Sequence, residues 1–141
     1  MSKFWQQWLS VWCALTVLFG AVLVAGAFEA TSGPTRFLYA LMNGPEPFRL
    51  DPLMRFSIGV LGAVTIGWGI TLLGAMQAAA KLGGFGRPLW IVTATGIASW
   101  YVIDSTLSCV TGYSVNAAFN TVFVAAFLVP MIASGVLKRV Q

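Results

Sequence analysis

One carboxylate stands alone in the last third of this sequence. Within "SWYVIDSTLSC", Ser99 to Cys109, Asp104 is the sole charged residue between Pro88 and Leu137. An isolated acid in so apolar a setting costs several kcal/mol, on the order of bilayer-insertion values, and takes up a proton unless a partner favours its charge. Arg55 is the best-placed partner in the sequence. At spacings of three and four, Trp100, Tyr101, Asp104 and Ser108 share one helical face, and Tyr113, Asn116 and Asn120 share another. Glu29, at the end of the first apolar run, is expected at the same level.

Two chemistries fit that set. In one, Asp104 and Arg55 form an ion pair, helped by Ser108 and Asn120, that fixes helix register. In the other, Asp104, Arg55, Ser108, Asn116, Asn120 and Glu29 line a small pocket open to the outside, with Trp100 and Tyr101 as an aromatic wall. Such a pocket binds a small polar or cationic ligand, or exchanges a proton with one.

Other chemistries are excluded by what the chain lacks. There is no histidine, so His-ligated haem, pigment and zinc are ruled out, as is an imidazole base. No metal site is expected. Cys13 and Cys109 fall at opposite ends of their apolar runs, too far apart for a disulfide, and no C-x-x-C pair is present for thiol exchange. The "GGFG" at Gly83 to Gly86 lacks the preceding strand and following Lys-Ser/Thr of a phosphate loop, and is expected to be a turn. One acid, one arginine and scattered hydroxyls supply no nucleophile and base, which argues against an enzyme. A quinone, a carotenoid or another flat apolar molecule could meet the aromatic residues, but no pattern selects a cofactor.

The elements that must carry these residues are membrane helices. Of 141 residues, 58% are hydrophobic and 9% charged, and the mean hydropathy is +0.84, against roughly 25% charged in soluble domains. Crossing a bilayer takes about 20 helical residues. Uncharged runs extend from Phe4 to Phe28 and from Phe56 to Ala80, and from Pro88 to Leu137 with Asp104 as the one interruption. The expectation is one all-α membrane domain over residues 1–141, a bundle of four transmembrane helices near 8–28, 53–80, 88–108 and 115–137. Asp51 before Pro52 signals the start of the second span, Pro88 that of the third, and Ser114 is the expected cap of the fourth.

Basic residues orient the spans. Lys3, Lys81, Arg87, Lys138 and Arg139 fall on one side, and Arg36, Arg49 and Arg55 on the other. The first side is expected to be cytoplasmic, with both termini, in the cell's inner membrane. Glu29, Glu46, Asp51 and Asp104 all fall towards the outer side. The net charge of +4 is accounted for by topology and anionic lipid, and no nucleic-acid signal is present. Lys3 and the "AGA" at Ala25 to Ala27 resemble a secretory signal with a cleavage site, but the apolar run is too long, and Trp5, Trp8 and Trp12 suit an interfacial anchor. A retained span is expected.

Between the first two spans, "SGPTRFLYALMNG" predicts a short interfacial helix near 34–42, and "GPEPF" a stiff extended link. This segment would be a strap over the bundle mouth, or a lid or docking surface. In the second span, Gly59, Ala63, Gly67, Thr71, Ala75 and Ala79 recur every fourth residue, which predicts a strip of small side chains pressed against another helix, of this chain or of a second copy. Pro130 removes a hydrogen bond to the Ala126 carbonyl and predicts a kink. The spans show no inverted repeat of the kind many transporters have. The expected function is a non-catalytic membrane subunit or docking partner in a homo-oligomer or larger complex; the alternative is a small carrier using the pocket around Asp104.

Overall fold

A computed structural model describes residues 1–45 and 47–138. Among these the regular structure is helical: α1 (Lys3–Ala25), α2 (Gly33–Leu41), α3 (Pro52–Lys81), α4 (Arg87–Val110) and α5 (Ser114–Ala133), with 3-10 turns at Glu29–Thr31 and Gly83–Gly86. Three helices, α1, α3 and α5, are long and apolar enough to cross a membrane. At 24 residues α4 is as long, but Arg87, Asp104 and a series of serines and threonines make it less apolar. Glu46 and Arg139, named above for the charge asymmetry and the extended link, lie outside the described residues.

Local chemistry sets the helix starts. Ser2 caps α1, its hydroxyl accepting from the Trp5 amide at 3.4 Å. Asp51 caps α3, its Oδ1 accepting from the Met54 amide at 2.8 Å, and Pro52 fills the first helical position. Ser114 is not a cap: it is the first helical residue of α5, Tyr113 stands before it, and no side chain bonds the free amides. Nor does α5 reach 137. It ends at Ala133, where Gly135 turns the chain with a φ of 64°, a conformation that favours glycine.

The tightest packing is between α1 and α3. Leu9, Cys13, Thr16, Gly20 and Leu23 are buried on α1, and Ile58, Gly62, Gly69, Leu72, Met76 and Ala79 on α3. Both sets advance in steps of three, four or seven, the spacing that keeps a seam facing its partner. A Cβ on Gly62 would lie 2.6 Å from the Gly20 carbonyl oxygen and 2.7 Å from the Val24 nitrogen; one on Gly69 would lie 2.8 Å from a Val17 methyl. The two backbones therefore touch, running antiparallel, in the manner that small residues permit in lipid.

The strip predicted on α3 does not face a helix of this chain along its length. Ala63, Gly67 and Thr71 are exposed, Gly59 and Ala75 half-buried. The reason is geometric. At 3.6 residues per turn each step of four advances about 40°, so five steps wrap the strip roughly half-way round the helix.

The second face of α1 meets α5. Trp12 stacks on Phe123 with ring centroids 4.1 Å apart and donates its indole N–H to the Phe123 carbonyl at 3.0 Å. Trp8 donates to the Ala126 carbonyl at 2.8 Å. Ala126 is four residues before Pro130, so its carbonyl is the one left without a helical N–H; the Trp8 indole takes that place. Through Pro130, which is buried, α5 continues as helix.

Short turns link α3 to α4 and α4 to α5, and the Arg87 Nε donates to the Leu137 carbonyl at 2.9 Å. The "GGFG" is a turn, as predicted, with Gly86 laid so closely on the Ala79 carbonyl that any side chain there would overlap it. Alternating helix directions gather Lys3, Lys81, Arg87 and Lys138 at one pole. The other pole holds Glu29, Arg36, Arg49, Asp51 and Arg55, with Asp104 inside the end of α4.

Two stability measurements in detergent probe this architecture. Gly62→Leu is expected to lose about 2 to 3 kcal/mol through backbone overlap, whereas Gly67→Ala, which meets nothing within 4 Å, gains about 0.5 to 1 kcal/mol of helix propensity; equal effects would show that the contact face is wrongly placed. Trp8→Phe should cost about 1 kcal/mol and much less in a Pro130→Ala background, where the helix supplies its own N–H to Ala126. A double-mutant cycle with no coupling would refute the substitution of one donor for the other.

Candidate functional site

The polar residues at the Glu29 pole form two separate groups. The first gathers at the end of α1, where side chains add hydrogen bonds to its last carbonyls. Thr35 on α2, fully buried, donates to the Val22 carbonyl at 2.7 Å, and Thr31 to that of Ala25 at 2.7 Å. Arg55, in the first turn of α3, reaches the Gly26 carbonyl at 3.5 Å and the Leu50 carbonyl at 3.1 Å, and forms an ion pair with Glu29. Arg36 pairs with the other Glu29 oxygen at 3.3 Å. The Glu29 side chain is 74% exposed, so these pairs are worth at most about 1 kcal/mol each; their effect is to tie α1, α2 and α3 at one corner.

The second group lies between α4 and α5. Asp104 Oδ1 accepts from Asn120 Nδ2 at 2.6 Å, from Asn116 Nδ2 at 2.8 Å and from the Ser108 hydroxyl at 3.3 Å. Asn116 Nδ2 also donates to Ser108 Oγ at 2.9 Å, and Asn120 Nδ2 approaches Ser105 Oγ at 3.4 Å. Ser108 and Asn120 are buried, Asp104 and Asn116 half-buried. All the donors named here converge on Oδ1. Among the described residues nothing donates to Oδ2, and no arginine or lysine reaches the carboxylate.

The expected Asp104–Arg55 pair is therefore not formed. Arg55 stands at the start of α3, beside the end of α1 that α3 grips, and Glu29 is the acid within reach there. Trp100 and Tyr101 do not wall the carboxylate either. The Trp100 ring packs 5.5 Å from Trp68 and 5.9 Å from Phe123, in the middle of the bundle, and the Tyr101 hydroxyl bonds Thr121 at 2.9 Å. Of the eight residues expected in one pocket, Asp104, Ser108, Asn116 and Asn120 come together; Glu29 and Arg55 meet elsewhere, and Trp100 and Tyr101 turn inward. Ser105 is an addition, signalled by a hydroxyl one residue after the acid.

The connection from α2 to α3 lies over the turn between α4 and α5. Tyr39 and Phe48 stack with centroids 4.0 Å apart and planes 4° from parallel. Gly44 lies so close to the Tyr113 ring that a side chain at 44 would overlap it, and Gly112, with a φ of 85°, faces Pro45. Burial, with Tyr113 nearby, pushes the Tyr39 phenol above its ordinary pKa. The short helix occupies Gly33–Leu41, close to the interfacial helix predicted at 34–42, with Phe37 and Leu41 exposed.

No known protein family, curated protein or solved structure matches this chain. What the arrangement can do is read from its own chemistry. Neutral amide and hydroxyl donors hold one carboxylate oxygen in a fixed position and leave the other able to accept from a group outside the chain.

Replacing Asp104 tests that arrangement. Asp104→Leu removes the acceptor of two amides and should cost about 2 kcal/mol, while Asp104→Asn, which keeps an acceptor oxygen, costs less. Arg55→Gln should act only at the Glu29 corner and add independently to either. Strong coupling between Arg55→Gln and Asp104→Leu in thermal unfolding would contradict the separation of the two groups.

Proposed function

We propose that this chain is a small non-catalytic integral membrane protein, a four-span subunit or docking partner that assembles with copies of itself or with other membrane subunits. One observation carries this: Asp104 is a carboxylate between two long helices with no cation paired to it among the described residues. An acid at that depth is stabilised by a positive group, and a lysine or arginine on a neighbouring helix supplies one. The surface flanking it suits a helix or lipid, since Ile103, Leu107 and Phe119 are each more than half exposed.

Several features support the membrane assignment. As the fourth span, α4 has 24 residues, about 36 Å of helix against a hydrocarbon core of about 30 Å, and Asp104, the most polar of its inner residues, is turned towards α5 rather than lipid. Lys3, Lys81, Arg87 and Lys138 share a pole with no carboxylate among the described residues, a bias that supports a cytoplasmic side for that pole, with both termini, in the inner membrane. The indole bonds from Trp8 and Trp12 to α5 favour α1 as a retained span over a cleaved signal.

The open Oδ2 also favours a second reading, a carrier that takes a small polar or cationic ligand at Asp104 from the outer side. Gentle detergent extraction followed by native mass spectrometry separates the two. A fixed oligomer or a constant companion, lost in Asp104→Asn, is the expected result. A lone monomer would overturn the subunit reading, and a monomer carrying a small cationic ligand that Asp104→Asn loses would establish the carrier.

A further inference from the structure

The basic pole holds a cleft that plays no part in the assembly described above. It opens between the first turns of α1, the last turns of α3 and the start of α4, with a volume of about 560 Å³. Its floor is apolar: Leu9, Met76 and Trp90, each at most 4% exposed, line it. Its rim is cationic, with Lys3 from the first turn of α1 and Lys81 from the last turn of α3.

Neither lysine has a counter-charge within the described chain. Both ion pairs found there belong to Glu29 at the far pole, and Asp51 and Asp104 also lie towards that pole, occupied by the α3 cap and by α5. The cleft thus offers two positive charges above a hydrophobic base.

We propose that this cleft binds an anionic phospholipid of the surrounding leaflet, its phosphate between Lys3 and Lys81 and the start of an acyl chain against Leu9, Met76 and Trp90. The site rests on the membrane-spanning assignment. Lys3 and Lys81 stand at helix ends, the level of lipid phosphates, where basic side chains attract anionic headgroups. The volume lies in the range of small-molecule sites and exceeds the needs of a bare phosphate ion, and the apolar floor gives a soluble anion nothing to bury.

The test uses the full chain in nanodiscs of equimolar phosphatidylglycerol and phosphatidylcholine, with retained lipid read by native mass spectrometry. The parent is expected to keep phosphatidylglycerol in preference to phosphatidylcholine. Lys3→Gln with Lys81→Gln should reduce that preference on the order of thirtyfold. Lys3→Arg with Lys81→Arg should preserve it, as should Arg87→Gln with Lys138→Gln, at the same pole but outside the cleft. Equal retention of the two lipids by the parent, or an unchanged preference in the double glutamine variant, overturns the site while leaving the membrane assignment intact. Displacement of the lipid by millimolar inorganic phosphate identifies a free-anion site instead, and a lipid-free dimer that closes the cleft assigns it to a second copy; both overturn the proposal. A chain that does not enter nanodiscs overturns the site and the membrane assignment together.

Discussion

With no side chain between them at Gly20 and Gly62, α1 and α3 approach until a carbonyl of one lies against the Cα of the other. In lipid, where burying apolar surface gives no advantage over leaving it among acyl chains, this close packing is a principal source of helix association. It fixes α1 in rotation as well as position. With the glycine face turned to α3, the tryptophans at 8 and 12 are directed at α5, and the last carbonyls of α1 come within reach of Thr31, Thr35 and Arg55. The corner at Glu29 and the indole bonds to α5 both depend on that rotation. The α1 and α3 pair is a platform, and α4 and α5, packed mainly on each other, lean on it.

A second constraint explains which side chains the platform recruits. Without water, a backbone group that loses its helical partner must find another within the protein. Two places in this chain face that demand. At Pro130 the Ala126 carbonyl has no N–H above it, and Trp8 provides one from a separate helix. At the end of α1 the Gly26 carbonyl is met by Arg55, while the Val22 and Ala25 carbonyls, which already accept from the Gly26 and Phe28 amides, take a second bond from Thr35 and Thr31. Trp8 reaches Ala126 and Arg55 reaches Gly26 from separate elements, so each of these bonds also binds two elements together. Pro130 is tolerated in a buried stretch of α5 because α1 is beside it.

How far the sequence was legible follows the range of each interaction. Asp51 followed by Pro52 marked the start of α3 because a cap and its amides are three residues apart. The turn at Gly83 to Gly86 and the short helix before Met42 were equally local. The face of α3 that packs on α1 was not the strip singled out, although its signal was present: 58, 62, 69, 72, 76 and 79 follow the seam, while the more conspicuous run of small residues at intervals of four drifts off it. Spacing had to be weighed against helical pitch, not residue size alone. The partners of Asp104 were partly legible, since Asn116 and Asn120 lie one turn apart on the next helix. Arg55 was assigned to Asp104 by charge alone, and charge does not say which helices are neighbours; the glycine contact, which draws the start of α3 to the end of α1, decides that. Trp8 was recognised as aromatic near a membrane surface, and its second property, a hydrogen-bond donor opposite a proline, is invisible without the fold.

The separation of Asp104 from Arg55 has an energetic logic of its own. Pairing them would remove two full charges from water, at a cost that attraction repays only in excellent geometry. Glu29, largely exposed, meets Arg55 with little desolvation of its own carboxylate. Asp104, half-buried, is held by neutral amides and hydroxyls, which carry no comparable penalty. The carboxylate is thus positioned without being neutralised. Because no internal ion pair must be broken first, a cation from outside would meet Asp104 with its donors already in place and its second oxygen free. The same partition leaves Lys3 and Lys81, at the opposite pole, without an acid partner among the described residues. Among the described residues, charges of opposite sign therefore stand at two separate levels of the bundle, Asp104 held by neutral donors at one and the two lysines at the other.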